Sequence, residues 1–81
     1  MKIRYFSWLK DITKNDYEVC DVKNIKDINK LKDYLIKKYP KLKTHLKKDI
    51  IRIAVNNEYT VKNQSLHKND EIAFFPPVSG G

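Results

Sequence analysis

Apolar and polar residues alternate from Lys2 to Leu9, with Ile3, Tyr5 and Ser7 on one face and Arg4, Phe6 and Trp8 on the other. That period of two, carried by β-branched and aromatic types, predicts a first strand. Asp11 to Asp16 is polar and holds Thr13, Asn15 and Asp16, which is turn chemistry. Tyr17 to Val22 predicts a second strand, antiparallel to the first because the connection is short. After Asp27 the period changes. Ile28, Leu31, Leu35 and Tyr39 are spaced by three, four and four, one apolar stripe on a helix. Asp27 stands where an N-cap belongs, Tyr34 borders the stripe, and Lys30, Lys32, Lys37 and Lys38 point outward. Tyr39 precedes Pro40, and a residue before proline avoids helical geometry, so the helix ends there.

Lys41 to Asp49 reads as an irregular connection with a helical turn that buries Leu42 and Leu46. Ile51, Ile53 and Val55, alternating with Arg52 and Ala54, predict a third strand. Asn56-Asn57 suits a two-residue hairpin turn, since asparagine tolerates left-handed backbone, and Glu58 to Val61 pairs back as a short strand. Lys62 to Ser65 is loop, Leu66 a lone apolar plug, and Lys68-Asn69-Asp70 a further turn. Glu71 to Phe75 predicts the last strand, with Ile72 and Phe74 on one face and Ala73 and Phe75 on the other. This order implies an α+β roll, a mixed sheet of about four to five strands packed on one main helix. The first and last strands then lie side by side in the middle of the sheet. Residues 1–75 form the domain, and 76–81 leave the sheet's centre as an extended arm. A chain of 81 residues has room for one core and no second domain.

Charge adds one feature. The formal net charge is +7, and Lys23 to Lys48 holds ten lysines against Asp27 and Asp33, a local balance of +8. A basic face attracts nucleic acid, anionic lipid or an acidic protein. The window has no arginine and no nucleic-acid motif, so a solvated helix face is the reading preferred. Cys20, the one cysteine, makes no internal disulfide, which fits a reducing compartment; in a strand it acts as a small hydrophobe rather than a nucleophile. His45 and His67 are too far apart for metal-ligand spacing, so no metal is expected. No apolar run approaches the ~18 residues of a membrane span. The start, Met1-Lys2-Ile3-Arg4-Tyr5, has no signal-peptide core behind it. A cytoplasmic chain with neither membrane nor nucleic-acid partner is expected.

The end of the sequence carries the candidate chemistry. Phe74-Phe75-Pro76-Pro77-Val78-Ser79-Gly80-Gly81 holds both glycines of the chain, where no turn of the domain needs them. Pro76 and Pro77 fix φ near about −65° and hold the arm extended. Val78, Ser79, Gly80 and Gly81 then make a slim tip, with the Gly81 carboxylate as a group that could react inside another protein's channel. A Gly-Gly end alone also fits a frayed chain terminus. No acid–base dyad, phosphate loop or metal cluster accompanies it, so the chain reads as a carrier rather than an enzyme on its own.

Phe-Phe-Pro-Pro-Val-Ser-Gly-Gly, with Ala54-Val55-Asn56 and Lys2-Ile3-Arg4-Tyr5-Phe6, resembles the MoaD-type small subunits of molybdopterin synthase, within the ubiquitin-like β-grasp sulfur carriers (MoaD/ThiS). The resemblance covers the whole chain. It implies that an activating enzyme of the ubiquitin-activating type, an adenylyltransferase, uses ATP to adenylate Gly81, no cofactor being bound permanently. It implies a sulfur donor, a cysteine desulfurase or rhodanese, that converts the adenylate to a thiocarboxylate. The tail, Pro76 to Gly80, would then insert into the large subunit of the synthase, in a hetero-tetramer, and Gly81 would give its sulfur to a cyclic pyranopterin precursor. The family makes that contact at positions matching Phe6, Lys10, Tyr59 and Phe75. Phe6, Trp8 and Phe75 are expected together on the sheet face opposite the helix, with Tyr59 at its edge. Such a patch marks an interface or covers a second small core. Trp8 stands where the family has a smaller or polar residue, and Tyr59 where it has an aliphatic one. A sulfur carrier of the same fold for thiamine or tRNA thiolation is the alternative, and a basic nucleic-acid-binding module is the alternative of another class.

Overall fold

The computed structural model describes residues 1–20, 23–48 and 50–77. β1 (Lys2–Tyr5) leads through α1 (Leu9–Thr13) to β2 (Tyr17–Val19), and α2 (Ile28–Lys38) follows. A 3-10 turn (Pro40–Leu42) runs into α3 (Lys43–Lys47), then come β3 (Arg52–Val55), β4 (Glu58–Thr60) and β5 (Glu71–Phe75). The five strands form one sheet in the order β2-β1-β5-β3-β4. β1 and β5 pair in parallel at its centre, as the sequence implied, and the other neighbours are antiparallel.

Register builds the core. Ile3, Ile72 and Val55 stand in one row across β1, β5 and β3, and Tyr5, Phe74 and Ile53 in the next. All six are buried, and the α2 stripe of Ile28, Leu31 and Leu35 closes over them. Asp27 caps α2 by accepting the Lys30 N–H at 2.8 Å, and the helix stops before Pro40. The connection expected to bury Leu42 and Leu46 does so through the 3-10 turn and α3. Asn56 and Asn57 lie at φ 52° and 71°, the two left-handed residues of a type I′ hairpin turn. Asn56 also pins the start of β5. Its amide donates to Asp70 Oδ1 at 2.9 Å, and its Oδ1 accepts the Glu71 N–H at 2.9 Å.

The first strand is shorter than the alternation predicts. It ends at Tyr5, and Ser7 takes φ 58°, which turns the chain out of the sheet. Of the segment expected as a polar turn, Asp11 to Thr13 belongs instead to α1, while Lys14 at φ 63° and Asn15 do turn the chain into β2. Leu9 is buried and Ile12 half-buried, while Thr13 bonds back to the Leu9 carbonyl at 3.2 Å. Leu9, Ile12 and Thr13 are spaced by three and four, a helical signal masked by the polar residues around them. β2 also stops short of the expected Val22, which lies outside the described residues with Asp21. β3 starts at Arg52 rather than Ile51, and β4 ends at Thr60.

Candidate partner face and the base of the tail

The side chains that do not enter the core lie on the other side of the sheet. Parity in register sends Arg4, Ala73, Ala54 and Tyr59 to that side as one row across four strands. The two alanines in its middle leave a shallow floor. Phe6 and Phe75 stack over one end of it, ring centroids 4.4 Å apart and planes 14° apart. Tyr59 leans on Phe75 from β4, at 5.7 Å. Arg4 lies over the Phe6 ring at 5.1 Å and meets Glu71 at 3.5 Å, so its charge is directed along the rim. Stacked rings at these separations gain beyond their buried area, and the Phe6–Phe75 pair couples the end of β1 to the end of β5. Phe6 N–H donates to the Phe74 carbonyl at 3.2 Å, which continues that coupling past the last residue of β1.

The structure thus brings Phe6, Tyr59 and Phe75 together. Trp8 is elsewhere, against expectation. The left-handed Ser7 breaks the alternation, and Trp8 caps α1 while packing half-buried on the core, its ring 4.8 Å from that of His45 in α3. Lys10 lies exposed on α1 and pairs with Asp16 at 3.7 Å, outside the ring cluster. Arg4, Ala54 and Ala73 belong to the face but were not singled out from the sequence. Stepping by two from Phe6 and Phe75 finds Arg4 and Ala73, whereas the place of Ala54 needs the strand register.

Of the tail, Pro76 is buried and Pro77 exposed, so the chain leaves the cover of the domain at Pro77. Because β5 is central, that exit lies beside the Phe6–Phe75 stack. Val78, Ser79, Gly80 and Gly81 lie outside the described residues. Among the described residues no three His, Cys, Asp or Glu side chains are placed to hold a metal, and no helix is long and apolar enough to cross a membrane. Glu18 accepts from Tyr39 and from Lys38, tying β2 to the end of α2. Burial, then the nearby Glu18 charge, pushes the Tyr5 phenol far up, so it stays neutral in the core.

The sequence profile of the ThiS family matches residues 3–81. The molybdopterin synthase sulfur carrier subunit of Mycobacterium tuberculosis is 38% identical over 64 residues, 79% of this chain and 75% of that protein. Among solved structures, SAMP1 of Haloferax volcanii superposes with a TM-score of 0.82 at 26% identity, covering 99% of this chain and 97% of that one. A protein–protein complex of subunits 1 and 2 of the molybdopterin-converting factor from Helicobacter pylori contains a chain with a TM-score of 0.69 at 27% identity, covering 99% of this chain and 96% of that one.

Proposed function

The chain belongs to the ThiS family, and we infer from that membership that it is a sulfur carrier of molybdenum cofactor biosynthesis, the sulfur-donating small subunit of a molybdopterin synthase and not an enzyme on its own. The observation that carries this reading is the reach of the family match, which takes in Gly80 and Gly81. The reacting group is the carboxylate of Gly81. One of its oxygens attacks the α-phosphorus of ATP in an activating enzyme and displaces pyrophosphate. The outer sulfur of a persulfide on a cysteine desulfurase or rhodanese then displaces AMP to give an acyl disulfide, and a thiol reductant cleaves its S–S bond to leave the thiocarboxylate. Inside the large subunit that sulfur takes the place of an oxygen on a carbon of the pterin precursor, and water then cleaves the thioester so formed, which returns the Gly81 carboxylate and leaves the sulfur on the pterin.

The chain's own contribution is presentation. Glycine at 80 and 81 leaves no Cβ to obstruct a channel or shield the sulfur. Pro76 and Pro77 restrict the arm, which lowers the ordering cost of insertion. Phe6, Phe75 and Tyr59 form the apolar surface on which the large subunit docks, beside the exit of the arm. The H. pylori complex of two subunits supports that pairing, and a two-plus-two assembly is the form proposed.

Intact mass spectrometry after coexpression with the activating enzyme and a sulfur source tests the chemistry. The expected gain is the replacement of one oxygen by sulfur. No gain, or a gain that survives deletion of Gly81, defeats it. Gly81→Ala is expected to fold normally and transfer sulfur poorly, because the added methyl crowds the reacting carbon. A second reading is favoured by the likeness to SAMP1, one of the small archaeal modifier proteins: the same activated carboxylate joins another protein's lysine. Conjugates that survive denaturation and reducing agent would mark that use.

A further inference from the structure

β4 is the outer strand of the sheet beyond β3. Val55 and Glu58 close the two-residue turn and so form its hydrogen-bonded pair. The next pair, Ala54 with Tyr59, is therefore of the non-hydrogen-bonded kind, and the N–H and C=O of Tyr59 point away from the sheet. The side chains along this edge are apolar and exposed: Tyr59 at 67%, Val61 at 99% and, across from them, Ile50 at 40%. Edges are usually blunted rather than lined this way. Between the edge and the first turn of α2 runs a groove of about 760 Å³ whose lining includes Lys32, Arg52 and Lys62. No carboxylate is among the described residues that line it. Its far wall is fixed. Asn63 Oδ1 accepts the Asn29 N–H at 2.9 Å and the Gln64 carbonyl accepts the Ile28 N–H at 3.1 Å, so the chain after β4 is tied to the helix.

We propose that this groove receives an extended acidic peptide of a partner protein, added as a sixth strand against β4. The backbone of Tyr59 supplies the ladder, Ile50 and Val61 take alternate apolar side chains, and Arg52 and Lys62 face the carboxylates between them, the usual division of labour in strand addition. The groove is continuous with the face already described. Tyr59 belongs to both, and Pro77 lines the groove at its mouth. A partner that docks on Phe6 and Phe75 thus reaches the groove with a neighbouring segment, and in assigning the peptide to such a partner the proposal rests on the docking-face reading.

The test uses the full chain, labelled with nitrogen-15, titrated with a synthetic peptide of alternating valine and glutamate. Shifts are expected at Ile50, Arg52 and Tyr59 to Lys62, with slowed exchange of the Tyr59 amide. The double variant Arg52→Glu, Lys62→Glu alters two exposed residues and should keep a dispersed spectrum. It is expected to weaken binding by at least about tenfold, and added salt should weaken it in the wild type. Deleting Gly81 should leave peptide binding unchanged while abolishing the mass gain, so the two readings fail separately. No shifts, equal binding of a valine–lysine peptide, or shifts centred on Lys37, Lys38 and Lys43, which do not line the groove, would overturn the proposal. So would the same shifts appearing with protein concentration alone, which would make a second copy the occupant.

Discussion

Phe74 and Phe75 are neighbours in one strand and do opposite work. Phe74 is 2% exposed, stacked near Tyr5 with ring centroids 6.2 Å apart and enclosed by Ile53 and the helical layer. Phe75 faces outward, against Phe6 and Tyr59, where the rings stay half-covered. The inner face is closed by buried residues, with half-buried ones such as Trp8 and Tyr39 packed around them. The outer face gathers Phe6, Phe75 and Tyr59 in contact with one another, with Arg4 over the Phe6 ring. A sheet covered on one side by a helix would ordinarily carry polar residues on the other. Here the strand pleat keeps a second apolar set in register beside the point where the arm leaves, so the core and the proposed docking face fall on alternate positions of the same strands.

Breaking the inner face should cost most. Phe74→Ala removes a fully enclosed ring and is expected to lower unfolding free energy by about 3–5 kcal/mol, measured by urea denaturation. Phe75→Ala should cost far less stability and instead weaken large-subunit binding roughly ten- to a hundredfold, read by calorimetry. A Phe75 variant that unfolds as readily as the Phe74 variant, with unchanged affinity when folded, would return the outer rings to the role of a second core.

Trp8 sharpens the same contrast, because its position in sequence and its position in space disagree. Continued alternation from Phe6 would set it on the outer face. Ser7 at φ 58° sends it to His45 and the core instead. Trp8→Ala is therefore expected to cost about 1–2 kcal/mol of stability, less than a fully buried tryptophan, and to leave large-subunit affinity within about twofold, a few tenths of a kcal/mol. A loss of affinity in a folded Trp8 variant would extend the docking face around the end of β1.

This junction also marks where the sequence stops being legible. α2 was readable because three signals coincide there: the stripe of Ile28, Leu31 and Leu35, the Asp27 cap and Pro40. The Asn56-Asn57 turn was readable because asparagine accepts the left-handed backbone it needs. Serine carries no such signal. Its positive φ is imposed by packing, as Leu9 drops into the core and α1 starts. From that misread turn follow both the overlong first strand and the misplaced Trp8. Of the site, Phe6, Tyr59 and Phe75 could be found by counting twos along strands. The floor made by Ala54 and Ala73 could not, because it appears only once β3 is registered against β5.

The smallest effect concerns the other end of β5. Where Phe75 ends the strand in the outer ring cluster, Asp70 precedes it with bonds to the neighbouring turns. Burial of its carboxyl opposes ionisation, but the Asn56 amide at 2.9 Å and the His67 N–H at 2.7 Å outweigh that and hold it below its ordinary 3.8. A carboxyl depressed in the folded state contributes stability that is fully present above the unfolded value and is lost as pH falls through the folded one. The advantage of the wild type over Asp70→Asn should thus be constant down from neutral pH and shrink only below 3.8. Urea midpoints of the two proteins across that range measure it, and large-subunit affinity at neutral pH should be the same for both. An advantage that instead began to shrink well above pH 3.8 would show that these two bonds are not what holds the carboxyl.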